Sequence, residues 1–179
     1  LIANGFNVVL LDSSIDQLDL IRRFGWKVHY GDASRLDLLR QTGASRARLL
    51  VVAIDDREKA LEIIELARDY FPDLKVIARA FDRRHAYELL DAGADAVERE
   101  TYESALNFGR KALVKLGLSE RRALRAAVVF REHDTELFNR LRPVNGLDDG
   151  YIEATRASRD TFETLLRAEM RRIDDEEAA

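Results

Sequence analysis

The chain has 179 residues, 46% of them apolar and 35% charged, with 29 Lys and Arg against 33 Asp and Glu for a net charge of −4. That balance argues against a broad electrostatic grip on nucleic acid. The lack of cysteine excludes disulfides, thiolate metal ligands and a cysteine nucleophile.

The length suits one domain, or one domain with an appendage. The longest apolar run, Leu49 to Ile54, falls far short of the ~20 residues that span a bilayer. Nothing at the N-terminus resembles a secretory signal. Only the acidic end, Asp174 to Glu177, has a composition prone to disorder.

Short β-type runs alternate with longer helical ones. Val8 to Leu11 reads as a buried strand closed by Asp12, and Ser13 or Ser14 can cap a helix from about Ile15 to Phe24 that stops at Gly25. Lys27 to Tyr30 is a second strand. Leu36, Leu38 and Leu39 belong to a short helix ending at Gly43. Leu49 to Ile54 reads as a central strand, and Asp55-Asp56 then caps a helix from about Arg57 to Tyr70, closed by Pro72. Lys75 to Ala80 is the next strand, Arg83 to Ala92 the next helix, and Ala96-Val97 a last short strand. Strands apolar on both faces, each followed by a helix, predict a doubly wound parallel α/β sheet covered on both sides.

The pattern changes after Thr101. One helix runs to about Leu116 and stops at Gly117, and a second starts at Ser119 and runs to about Arg142. Pro143 with Asn145-Gly146 predicts a turn, and Tyr151 to Ile173 a charged amphipathic helix. The expected division is an α/β part over 1–117 and a helical part over 118–179. The helical part serves either as plain cover or as a dimerisation or docking surface.

In a Rossmann unit the ligand sits at the carboxyl ends of the strands, and an acid closing the second strand binds the adenosine ribose. Asp12 has that position, Asp32 closes the following strand where adenine would lie, and Ile54-Asp55 closes the next. Each aspartate alone serves equally well as a cap or turn residue. No G-x-G-x-x-G phosphate loop occurs. The opening stretch, Leu1 to Asn7, reads as the end of a helix with Gly5 as its stop. The expectation is a chain that begins inside the first helix of such a unit and lacks strand one. Unpaired backbone would then line a gap between the strand ending at Asp12 and the strand starting at Leu49.

The stretch Arg22-Arg23-Phe24-Gly25-Trp26-Lys27-Val28-His29-Tyr30-Gly31-Asp32-Ala33-Ser34-Arg35 carries a family resemblance. Ala53 to Asp56, Ile77 to Asp82, Gly93 to Asp95 and Glu98 to Leu106 add to it. Over about Leu1 to His133 the chain resembles the KTN, RCK or TrkA-N regulatory domains of glutathione-gated, Kef-type potassium/proton antiporters.

The resemblance implies a homodimer on the cytoplasmic face of the bacterial inner membrane, tethered to an antiporter domain of the same polypeptide. It implies bound NAD(H) or AMP, and a flavin-type oxidoreductase as ancillary partner. It assigns Asp12 to the ribose and Asp32 and Ala33 to the adenine side; Ile54 and Asp55 are expected on the same nucleotide edge because they close the next strand. It assigns Arg99 to a glutathione carboxylate and Phe24 to the aromatic that bulky glutathione adducts displace. An asparagine of the family appears here as Asp134, a carboxylate that repels an anionic tripeptide unless it meets the ligand's amine.

Two other functions fit the same fold. An NAD-dependent oxidoreductase needs an acid/base set, and no Tyr-x-x-x-Lys pair or Gly-x-Ser-x-Gly elbow occurs. A nucleotide-gated subunit of another potassium channel or uptake system would respond to a different effector. His85 and Glu88 share a helix face, but two ligands without a third make no metal site. Phe24 and Trp26 also have plain structural readings, as core or half-buried aromatics.

Overall fold

The computed structural model describes residues 1–26, 28–142 and 149–178. The turn expected at Pro143 and Asn145-Gly146 lies outside them. The chain forms two compact units, one of residues 1–80 and 88–98 and the other of residues 81–87 and 99–179.

The first unit holds the sheet strands. They are β1 (Leu10–Asp12), β2 (Val28–Tyr30), β3 (Leu49–Val52), β4 (Lys75–Ala80) and β5 (Ala96–Arg99), whose last residue falls in the second unit. Helices α1 (Ile15–Arg23), α2 (Leu36–Gln41) and α3 (Arg57–Tyr70) follow the first three strands, and α4 (Arg83–Asp91) follows β4. Pairing is parallel, with Asp12 opposite Tyr30 and Leu49 opposite Lys75.

The strands form two sheets rather than one: β1-β2, and β3-β4-β5. Among the described residues no strand lies between β1 and β3, so each presents one open edge where the gap was expected. β3, expected to be central, is therefore an edge strand, with Leu49 and Val51 exposed. Its alternating burial shows that one face is packed and the other open. One apolar cluster joins the two sheets: Leu39, Ala44, Phe71 and Leu74 are buried together, with Leu11 of β1 and Leu50 of β3 packed against them.

Local chemistry sets the element ends. Asp56 accepts the Lys59 backbone N–H at 3.0 Å and so caps α3. Gly93 closes the turn after α4 at φ +107, a left-handed conformation that a Cβ disfavours. Arg68, near the end of α3, donates to the carbonyls of Gly93 (2.6 Å) and Leu74 (2.9 Å) and to Asp95 (2.8 Å). Asp95 also accepts the Val76 N–H at 2.6 Å, and this bond together with Arg68 holds its carboxyl below the ordinary range.

The second unit is helical, built on α5 (Tyr102–Lys115), α6 (Glu120–Leu141) and α7 (Asp149–Ala178). Ser119 caps α6 through Arg122 N–H at 3.3 Å. Ala123 and Ala126 are buried on α6. Between α6 and α7, Phe130 meets Phe162 edge-on at 5.3 Å, and His133 stacks on Phe162 at 5.4 Å while its Nε2 meets the Ser158 hydroxyl at 2.9 Å. α7 continues through Asp174–Glu177, the stretch whose composition suggested disorder. Glu176 and Glu177 are good helix formers, and the stretch extends a helix already anchored by packing.

Candidate functional site

The carboxyl ends of the strands gather charged groups in the first unit. The Gly31 N–H donates to the Asp12 carbonyl at 2.9 Å, so the ends of β1 and β2 lie side by side. Asp12 Oδ1 accepts the Ser14 N–H at 2.8 Å, which fixes its carboxylate, and Oδ2 has no partner among the described residues. Asp12 thereby shapes the turn into α1, whose first intrahelical bond runs from the Leu18 N–H to the Ser14 carbonyl and puts Ser14 at the cap position. A carboxylate with one oxygen anchored and one open suits a pair of ribose hydroxyls.

Asp32 accepts from the Ser34 N–H (3.0 Å) and hydroxyl (2.8 Å) and forms a 2.7 Å ion pair with Lys59 in the first turn of α3. Lys59 therefore ties the end of β2 to the helix that follows β3, across the split in the sheet. The Lys59 bond first, and then the two Ser34 bonds, lower the Asp32 pKa to about 2. Ala33 is partly buried behind it and packs on the apolar cluster, and Ile54 is partly buried after β3. Exposed Asp55 accepts from Arg79 Nη2 at 2.5 Å, and the same nitrogen donates to the Ala53 carbonyl at 3.2 Å. Asp12 and Asp32 thus stand together, while Asp55 is drawn to Arg79. Lys59 and Arg79 escaped the sequence reading. Lysine in a helix's first turn and arginine near a strand end carry no local signature of a long-range partner.

The second unit holds a different cluster. Asp134, in the middle of α6, accepts Arg83 on Oδ1 and Arg99 on Oδ2. The Arg99 guanidinium lies over the Tyr102 ring, 3.8 Å from its centroid, and 5.7 Å from that of Phe138. The Tyr102 hydroxyl feels both charges, but its geometry falls short of an ordinary hydrogen bond. Burial first, and then the Asp134 charge, push its pKa up to about 12. Glu103, four residues on from Arg99, pairs with Arg131. Tyr87 donates to the Phe138 carbonyl at 2.8 Å and stacks on its ring at 4.6 Å. Arg99 and Asp134 are thus brought together from positions 35 residues apart. Arg83 is the third member. It was missed because nothing in its own sequence neighbourhood pairs it with α6.

Phe24 is not core. It is 67% exposed, tilted against exposed Trp26 at 6.2 Å. His85 is buried: its N–H donates to Asp82 at 2.8 Å, and its Nδ1 accepts the Phe81 N–H at 3.2 Å. This is a reciprocal cap on α4.

Two family models match the chain. One, described as the TrkA-N domain, covers residues 1–100, and the other, described as the potassium efflux system KefB C-terminal domain, covers residues 104–179. The chain is similar to the Kef CTD of Shewanella denitrificans, solved in an AMP-bound form. The identity is 47% over 80% of this chain and 87% of that one, with a TM-score of 0.73. It is also similar to the TrkA-N domain of the inner membrane protein ybaL from Escherichia coli, at 24% identity over 65% of this chain and 83% of that one, TM-score 0.54. The NAD(P)-binding domain of an exopolyphosphatase-related protein from Archaeoglobus fulgidus gives 22% identity over 62% and 83%, TM-score 0.54. At those identities the last two show a shared fold.

Proposed function

Because this chain belongs to the Kef family of regulatory domains in potassium transport, with a TrkA-N part followed by a KefB C-terminal part, we propose that it is the cytoplasmic, nucleotide-binding gate of a potassium/proton antiporter. The nucleotide is AMP or NAD(H), held by Asp12, Asp32, Ala33, Ile54 and Asp55. The single observation behind this is the half-anchored Asp12 carboxylate beside the Gly31-Asp32 turn. The 47% identical relative whose described state is AMP-bound supports it.

In this reading the domain works by binding, not by turnover. Effectors shift the balance between arrangements that favour a closed or an open transporter, which requires unequal affinity for the two. A small acidic effector acts at Phe24, Arg99 and Asp134; glutathione and its adducts are the candidates the resemblance offers, and Asp134 stands against an anionic tripeptide there. The exposed Phe24 ring suits contact with a ligand or partner more than a place in the core. Residues 1–117 carry the nucleotide and 118–179 the docking or dimer contacts. The partners are a second copy, the membrane domain of the same polypeptide and a flavin-type oxidoreductase. Exposed Leu124 on α6 and Leu165 on α7 offer apolar surface for such a contact.

Calorimetric titration of AMP tests the nucleotide reading. Saturable binding is expected, weakened about tenfold or more by Asp12→Asn, which keeps the Oδ1 acceptor but removes the charge and one acceptor oxygen. Absence of AMP binding, or binding indifferent to Asp12→Asn, would overturn it.

A further inference from the structure

The Arg83–Asp134–Arg99 cluster has the form of a carboxylate site that is already filled. Asp134 is 7% exposed, and each of its oxygens faces one guanidinium; both arginine side chains are 19% exposed. Two arginines converging on the two oxygens of one carboxylate is how a protein holds an acidic ligand. Tyr102 and Phe138 support Arg99 through ring faces that leave its charge in place, and Glu103 is engaged with Arg131. The anion at this site is therefore supplied by α6 itself.

We propose that Asp134 is a built-in occupant of a carboxylate-binding site, so that an acidic effector gains Arg83 and Arg99 only by displacing it. The proposal rests on the reading of this region as an effector site. An intramolecular carboxylate competes at a high effective concentration. A free acid must overcome it as well as the repulsion of like charges. Glutathione, with two carboxylates, is accordingly a poor ligand for the chain as it stands. Removing the Asp134 charge uncovers a site for it, and the class of ligand that then binds is a small carboxylic acid.

Two measurements test this. In the first, reduced glutathione is titrated calorimetrically into the full chain and into Asp134→Asn. The unaltered chain is expected to show no saturable binding below about 10 mM, and Asp134→Asn a gain of about tenfold or more. The gain should vanish in Asp134→Asn/Arg99→Gln. Submillimolar binding by the unaltered chain, or no gain in Asp134→Asn, would overturn the proposal and leave the cluster as a structural ion triad.

In the second, thermal unfolding of Asp134→Ala is followed in acetate and in chloride of equal ionic strength. Acetate is expected to raise the midpoint of this variant and not that of the unaltered chain, because it refills the vacated place. An equal effect on both would refute a built-in occupant. Should Asp134→Ala not fold, the acetate comparison is made on Asp134→Asn. AMP titration of the same proteins keeps the outcomes apart: loss of AMP binding counts against the nucleotide reading, while the acetate and glutathione results speak only to Asp134.

Discussion

Asp32 shows how one partner from a distant element resets a side chain. A strand-end aspartate has an unfolded pKa near 3.9, and here Lys59 and Ser34 lower it to about 2. A depressed acid adds stability above its unfolded pKa and loses it as pH falls through the folded one. The contribution of Asp32 is therefore complete above about pH 4 and fades as pH falls toward about 2. Lys59→Met should raise the Asp32 pKa toward its ordinary value, read from the carboxyl carbon shift in an NMR titration. An unmoved titration would show that Ser34 alone sets it. Asp12, Asp32 and Asp55 were legible in the sequence because each closes an apolar run. Their partners were not, because Lys59 and Arg79 reach them from 27 and 24 residues away.

At the scale of elements, α3 is the most completely specified. Its predicted limits, Arg57 to Tyr70, coincide with the observed ones because a capping aspartate, an apolar stripe and a following proline agree. The end of the helix is held by Arg68, whose bonds to Gly93, Leu74 and Asp95 join α3 to the segments around β4 and β5. Arg68→Met keeps much of the aliphatic stem and removes these bonds. It should destabilise the chain by about 2 kcal/mol, seen as a lower urea midpoint with unchanged slope. A change below about 0.5 kcal/mol would mean that water replaces the guanidinium without loss. β3 is the counter-example. Its leucines and valines marked it as a strand, but a strand does not record how many neighbours it has. Pairing depends on backbone outside its own residues.

At the scale of the whole molecule, the split sheet has a measurable signature. Amides on the open sides of β1 and β3 lack strand partners among the described residues, and backbone groups without such bonds exchange readily with solvent. In a hydrogen-exchange experiment these amides should exchange far faster than those of β4, which has a neighbour on each side. Equal protection of all three strands would show that something else covers the open edges in solution. No described helix is long and apolar enough to cross a membrane.

The sequence by itself determined the order of strands and helices, the carboxylates at the strand ends and the family, because periodicity, caps and motifs are local and survive without neighbours. It also marked Arg99 and Asp134, through the resemblance. Only the tertiary structure decided that these two meet, that Arg83 joins them, that Lys59 holds Asp32, and that Phe24 stands on the surface. Each of those facts depends on which side chains converge across tens of residues. Spacing along the chain carries no record of that convergence; it arises from how the helices pack.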